Sequence, residues 1–418
     1  MFSAVILLLM IIHLGQLNSL MFSDILDSSQ NYITQLSDKD DCGKPLHLTP
    51  LIESGQISEA QNISRVTDLE HNIKSHAGFL TVNKRFKTSL FFWFFKAKSN
   101  DWENSPLLLW LQGGPGMTSL YGLFMENGPF EIKRESSDEF SLLNRKYAWT
   151  NEYNVVYVDN PAGVGYSHTG SEKGYATNQK QVANNLYKAL VQLFKLFPSI
   201  QSKYIPALGY KIHSANKKSK FRINLTGLFV GNAFFSPGDQ LIYGDYLKMI
   251  GLLDENQQHI FNTYQADIKN LIDKKDWLNA TFKFSELFFR KSAENYKNFM
   301  AFVTKASTRK MIHVGNTPWG EYNTVAWHLR ADIMKPVNVI CAYPGTVNAF
   351  KRLQWSGAQE YRQADSKKWY IENKLAGYYK KTGRFIDIMV RNTGHMVPKD
   401  NPLWGHLDMI TKGYPLEL

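Results

Sequence analysis

Two short stretches of this chain carry groups suited to holding anions and moving protons. Trp110-Leu111-Gln112-Gly113-Gly114-Pro115-Gly116 offers glycine amides in a tight turn, and Gly394-His395-Met396-Val397-Pro398 offers an imidazole. Amides at Gly113 and Gly114 can stabilise a tetrahedral oxyanion, and His395 can shuttle a proton between a nucleophile and a leaving group. The pair points to acyl transfer. A phosphate or dinucleotide cradle is the rival use of a glycine-rich turn, but the glycine spacing fits neither and Pro115 removes a donor that such a cradle needs. Acyl transfer also needs an attacking group. No serine here lies in a sequence that reads as a strand-turn-helix elbow flanked by small residues.

The glycine turn follows residues 106–111, an apolar run that reads as a buried strand, so it falls at the carboxyl end, where open α/β sheets place their sites. Further strands are expected at 78–82, 90–95, 154–158, 225–231, 337–341 and 385–390, after an extended lead-in at 45–50. Val182, Leu186, Leu190, Leu193, Phe194 and Phe197 recur at helical spacing and predict an amphipathic helix over 178–197. Residues 243–310 read as helices and 402–412 as a closing helix. Strands alternating with helices indicate an α/β chain with a mainly parallel sheet.

With 44% hydrophobic and 14% aromatic residues over 418 positions, the chain can bury a large core, which excludes disorder. The net charge of +11 comes from scattered Lys and Arg, and its densest run, Lys217-Lys218-Ser219-Lys220, reads as a solvated loop. Neither a reading helix nor an aromatic platform accompanies it, so no nucleic-acid partner is expected. The apolar run at 4–12 is too short to span a bilayer; with the polar residues after it, 1–19 reads as a signal peptide, without the usual basic start, and no stable membrane anchor is expected. Sequons at Asn62, Asn224 and Asn279 agree with secretion. Cys42 and Cys341 fit either one long-range disulfide or two free thiols, and no zinc site can be built from them. Neither metal nor cofactor is expected.

Taken in order along the chain, these stretches resemble a serine carboxypeptidase of the α/β-hydrolase fold, in the vitellogenic and venom carboxypeptidase-like branch. Residues 42–50, 78–95, 107–130, 154–167, 204–213, 225–232, 355–361 and 394–402 carry the likeness. The resemblance implies an α/β-hydrolase-like, mainly parallel sheet flanked by helices, with an inserted helical cap. Its segments would be 1–19 as signal peptide, 20–240 and 313–418 as the sheet domain, and 241–312 as the cap. The activity implied is hydrolytic release of C-terminal residues from peptides by a secreted or lysosomal protein, with peptide or protein C-termini as partners. Gly114 would donate an oxyanion amide, Gln112 and Gly113 would bind the substrate and its terminal carboxylate, and Glu126 would support that carboxylate site. His395 would be the general base and Met396 would line the pocket for the residue before the scissile bond.

The departures fall on the catalytic parts. In the family a strand and a Gly-Glu-Ser-Tyr-Ala-Gly elbow follow the Phe-Pro that ends the helix, but here Phe197-Pro198 runs almost at once into Tyr204-Ile205-Pro206, so the strand and the elbow are expected to be missing. Ser199 takes the nucleophile's place by counting but has Phe197 and Pro198 where the elbow needs glycine and acid. Ser167, between Gly165 and Gly170, belongs to the family's structural Asp-Asn-Pro stretch. Asn338 stands where the triad acid belongs, and an amide there costs about ten-thousand-fold in a serine-protease triad. Two readings follow: a carboxypeptidase whose sequence has lost segments, or a non-catalytic relative that binds peptides or another protein. Gln112 and Glu126 suit a carboxylate end, which disfavours an esterase.

Overall fold

In the computed structural model the described residues are 41–67, 73–113, 117–136, 139–198, 201–203, 206–218, 222–223, 225, 228, 230–232, 236–276, 279–280, 283–284, 303–317, 320–321, 343–393 and 396–401. They fall in two compact units, one within Leu14–Val230 and Ser292–Trp327, the other within Gly231–Lys291 and His328–Leu418.

The first unit is built on a five-stranded sheet. Its strands are β1 (Ser75–Asn83), β2 (Thr88–Phe95), β3 (Pro106–Trp110), then, beyond a hairpin of β4 (Phe130–Arg134) and β5 (Phe140–Asn144), β6 (Asn154–Val158) and, after the short β7 (Val164–Gly165), β8 (Gln201–Lys203). The order is β1-β2-β6-β3-β8. The β1, β2 and β6 pairings are antiparallel, whereas β3 lies parallel to both β6 and β8. Every residue of β2 and β6 is buried. That is why both read as unbroken apolar runs: a strand covered on both faces has no reason to alternate.

The helix Gln179–Leu196 covers this sheet, started by the Asn178 side chain, which accepts from the Gln181 amide. Leu186, Ala189, Leu190 and Leu193 face Leu80, Leu90, Phe92 and Val158 across the interface. At its end Phe197 packs against Phe94 and His76, with ring centroids 4.7 and 4.8 Å apart. In the expected lead-in, His47 bridges in parallel to Phe79, but Leu48 already has helical backbone angles and Thr49 and Pro50 open the helix Thr49–Glu53. Proline at the first turn suits a helix start, because the missing amide has no partner there anyway. A short strand, β9 (Gly320–Glu321), pairs with β7.

Two strand expectations change. A strand does follow Phe197-Pro198: Gln201–Lys203 pairs in parallel with Pro106, Leu107 and Leu108. Its sequence gives no apolar signal; the open edge of β3 supplies the reason for it to be extended. Over 225–231, the described Leu225, Leu228, Val230 and Gly231 belong to no strand, and Leu228 and Val230 are exposed, so the apolar run there is not matched by burial. Residues 337–341 and 402–412 lie outside the described residues.

The second unit holds the helices Pro237–Gln240, Tyr243–Met249, Glu255–Asp273, Tyr343–Arg352 and Ala358–Gln363 and an antiparallel meander. Glu255–Asp273 begins with a reciprocal capping box between Asp254 and Gln257. The meander is β10 (Lys367–Ile371), β11 (Lys374–Thr382) and β12 (Phe385–Val390). Glu372 and Asn373 both have positive φ, 49° and 62°, as a two-residue hairpin turn requires. The strand expected at 385–390 is therefore present but pairs within this meander. Its Asp387 is buried and accepts from the hydroxyls of Tyr361 at 2.6 Å and Tyr343 at 3.2 Å, pinning two helices to the sheet. Burial raises the Asp387 carboxyl above its ordinary range, and both phenols are raised as well.

Candidate functional site

The parallel strands β6 and β3 end side by side, and the glycine turn leaves the carboxyl end of β3. Gly113 is exposed, and among the described residues nothing lies within 4 Å of a Cβ placed on it. Beneath it lies a polar corner. Trp110 donates through Nε1 to Gln112 Oε1 at 2.7 Å, and Gln112 donates through Nε2 to Glu126 Oε1 at 2.9 Å. The indole thus fixes which end of the Gln112 amide points at Glu126. Among the described residues the second Nε2 hydrogen of Gln112 has no acceptor. Gly122 makes this packing fit: a Cβ there would lie 2.1 Å from Trp110 Nε1 and 2.7 Å from Gln112 Oε1.

Glu126 is buried in a single π-helical turn, Leu123–Asn127, that continues the helix Ser119–Gly122. Such turns are rare and recur at functional sites. The chain around it is fastened by the buried Arg145, which donates to the carbonyls of Phe124 at 2.7 Å, Gly128 at 3.0 Å and Phe130 at 3.0 Å, and to Glu131 at 2.9 Å. Burial lowers the Arg145 guanidinium from its ordinary value, and Glu131, Tyr157 and Glu126 pull it back up. Beside Glu126, Asn127 accepts from the Tyr157 hydroxyl at 2.8 Å, and burial pushes that phenol well up.

The turn's ends are tied to β6. Gln112 N donates to Ser119 Oγ at 3.1 Å, and Ser119 Oγ donates to the Val158 carbonyl at 2.6 Å. Asp159, one residue further on, accepts from Thr118 Oγ1 at 2.6 Å and Ser119 N at 2.9 Å through Oδ1, and from Tyr166 N at 2.9 Å through Oδ2. Ser167 is buried, accepts from Phe91 N and donates to the Asp159 carbonyl, so its hydroxyl is used structurally.

The structure therefore brings Gln112, Gly113 and Glu126 together. Gly114, His395, Ser199, Asn338 and Asn224 lie outside the described residues. Met396 is half-buried, just before the short helix Val397–Asp400 of the second unit. Asn62 and Asn279 are exposed. Cys42 is a buried free thiol, and Cys341 lies outside the described residues. Sequence reading missed the parts played by Trp110, Ser119 and Asp159, though an acid straight after a fully apolar strand is a signal for the last. Among the described residues no group of three or more His, Cys, Asp and Glu could hold a metal ion, and no helix is long and apolar enough to cross a membrane.

An α/β sheet with a glycine turn and the polar Trp110–Gln112–Glu126 corner at its strand ends narrows the class, and comparison with known proteins names it. The family described as serine carboxypeptidase matches residues 66–302 and 336–413, and the chain belongs to that family. It is 40% identical to a venom serine carboxypeptidase of Apis mellifera, covering 90% of this chain and 91% of the relative. It is 37% identical to a vitellogenic carboxypeptidase of Aedes aegypti, over 88% and 89%, and 34% identical to the probable serine carboxypeptidase CPVL of Homo sapiens, over 90% of each. Among solved structures, Kex1(delta)p, a prohormone-processing carboxypeptidase of Saccharomyces cerevisiae, superposes with a TM-score of 0.61 at 21% identity, over 82% of this chain and 90% of the other, and so shares the fold. The alignment with the honeybee protein spans 433 positions, more than the 418 residues of this chain, so the relative carries stretches that this chain lacks.

Proposed function

We propose that this chain recognises the free C-terminal carboxylate of peptides or proteins at the Gln112–Glu126 corner and, lacking a nucleophile, does not hydrolyse them at a significant rate. One observation carries the second half. Gln201–Lys203 already lies beside β3, and only Tyr204 and Ile205 separate it from the helix Pro206–Asn216. A nucleophile elbow puts a serine between small residues at just such a strand-to-helix turn; tyrosine and isoleucine supply neither the alcohol nor the room. The first half is supported by the oriented Gln112 amide, whose spare N–H can meet an incoming carboxylate beside the exposed Gly113. Gly114, His395 and Met396 hold the family's oxyanion, base and pocket-wall positions by sequence alone, and without a nucleophile the first two are left only the small residual rate.

Labelling the purified chain with a fluorophosphonate, alongside hydrolysis of hippuryl-phenylalanine, tests this. The expected result is no covalent label and only the small residual rate that a hole and a binding site leave once the triad is gone. Strong labelling of this chain would refute it. The rival, an active carboxypeptidase whose sequence here is shortened, is favoured by the alignments that outrun the chain; a transcript carrying Gly-x-Ser-x-x-Gly between Pro198 and Tyr204 would establish it.

A secreted or lysosomal location belongs to the same proposal. It is supported by the apolar run at 4–12 and by the exposed sequon asparagines Asn62 and Asn279.

A further inference from the structure

Asp159 is 1% exposed, and each of its oxygens accepts from at least one donor. Placing a carboxylate where water cannot reach it is costly unless the surrounding donors repay the lost hydration. Here the donors are Thr118 Oγ1, Ser119 N and Tyr166 N. Thr118 also accepts from Leu120 N at 3.2 Å, capping the helix Ser119–Gly122. Through Ser119, whose hydroxyl accepts from Gln112 N, the same carboxylate reaches the other end of the glycine turn. The fit is close: Gly165 has φ +54°, and a Cβ on it would fall 2.0 Å from Asp159 Oδ2.

The geometry points to Asp159 as a positioning residue for carboxylate recognition, fastening both ends of the glycine turn through Thr118 and Ser119 so that Gln112 stays aimed beside Glu126. This role rests on the recognition proposed above. It differs from general stabilisation in one respect: the tethers depend on the charge of a single group. Burial pushes the Asp159 carboxyl up to about 6, against the three hydrogen bonds that lower it. The groups facing it are Thr118, the Ser119 amide, Tyr166 and, over the Tyr166 ring at 5.3 Å, Arg309. Protonation at Oδ2, which accepts only from the Tyr166 amide, removes the negative charge from Oδ1 and so weakens the charge-assisted bonds that Thr118 and Ser119 donate to it.

The test titrates the full chain with hippuryl-phenylalanine and with its C-terminal amide by calorimetry at pH 7 and pH 5. Wild type, Asp159→Asn and Ser119→Ala are compared. Wild type is expected to prefer the acid at pH 7 and to lose most of that preference at pH 5. Both variants should keep the affinity for the amide while their preference for the acid falls about tenfold at pH 7, the worth of one hydrogen bond to a charged group. Asp159→Asn should also lose the pH dependence. Variants that retain the wild-type preference and its fall with pH overturn the role of Asp159 and leave the recognition standing. A wild type that binds acid and amide alike overturns the recognition and this role with it. Should Asp159→Asn fail to fold, Ser119→Ala, which leaves the carboxylate in place, decides by the same criterion.

Discussion

Gln112 reaches Glu126 across 2.9 Å with its amide nitrogen, because Trp110 claims its amide oxygen at 2.7 Å. A carboxamide that could rotate freely would present oxygen or nitrogen to a ligand equally well, and oxygen would repel a carboxylate. The indole removes that choice. Trp110→Phe keeps the aromatic bulk but frees the amide, and should weaken binding of a peptide acid by about tenfold with little effect on the peptide amide. Gln112→Glu, which sets a second carboxylate against Glu126, should abolish the preference for acids. Equal acid binding by wild type and Trp110→Phe in the same titration would show that the indole does not orient the amide.

Stability in acid should reflect two buried groups of opposite sign. Asp159 is raised from 3.8 to about 6 on folding, so its contribution is fully present below 3.8 and is lost as pH rises through 6. His76, buried against Phe94 and Phe197 with Ser64 Oγ 3.1 Å from its Nδ1, is lowered from 6.5 to about 3, chiefly by burial. Its contribution is present above 6.5 and is lost as pH falls toward 3, costing about 2 kcal/mol at pH 5. Between pH 7 and pH 4 the urea midpoint of wild type should therefore fall relative to that of His76→Gln. A difference between the two that stays constant with pH would contradict the assignment.

Gly165→Ala should be among the most damaging small substitutions in the first unit. The residue has φ +54°, and the new methyl would land on Asp159 Oδ2 and within 2.9 Å of Thr118 Oγ1. A cost of about 3 kcal/mol or more in chemical unfolding is expected, backbone strain and displaced carboxylate together. A loss below about 1 kcal/mol would mean that Asp159 can move aside cheaply.

In the second unit the two tyrosines on Asp387 should be unequal. Tyr361 donates at 2.6 Å and Tyr343 at 3.2 Å to the same oxygen, so Tyr361→Phe leaves the buried carboxylate with the weaker donor. We expect Tyr361→Phe to cost about 1–3 kcal/mol in thermal or urea unfolding, and Tyr343→Phe less. The reverse order would show that distance does not rank these bonds.

Passage through a secretory pathway should leave a mark at Asn62, exposed on the helix Ile57–Ile63. The hydroxyl of its sequon serine, Ser64, is buried and hydrogen-bonded to the Gln61 carbonyl, so transfer of a glycan must precede folding. Chain expressed in insect cells should shift on glycosidase treatment, with a smaller shift for Asn62→Gln. An unglycosylated Asn62 in secreted material would remove this support for the location.

The sheet was legible where burial writes itself into composition. Residues 154–158 matched β6 residue for residue, and the helix over 178–197 came within a residue of Gln179–Leu196, because its apolar spacing reports one covered face. The meander strands β10 and β11 were not foreseen: they mix exposed lysines and tyrosines with few apolar positions. β8 gives no sequence signal either, since three residues with no apolar side chain owe their extension to a neighbour's hydrogen-bonding edge. In the site, Gln112 and Glu126 were named from resemblance, but the side-chain bond between them, 14 positions apart, needed the fold. Asp159 escaped because its partners come from 118–119 and 166, on separate stretches of chain.

The small strand Gln201–Lys203 bears on any effort to rebuild a hydrolase here. Its docking beside β3, with a helix beginning at Pro206, means that the flanks of an elbow are already seated. A serine-bearing hexapeptide spliced after Lys203 would then be a local graft, expected to leave the far-ultraviolet circular dichroism nearly unchanged. If the splice unravelled the sheet instead, those flanks would prove too weakly anchored to serve as a socket.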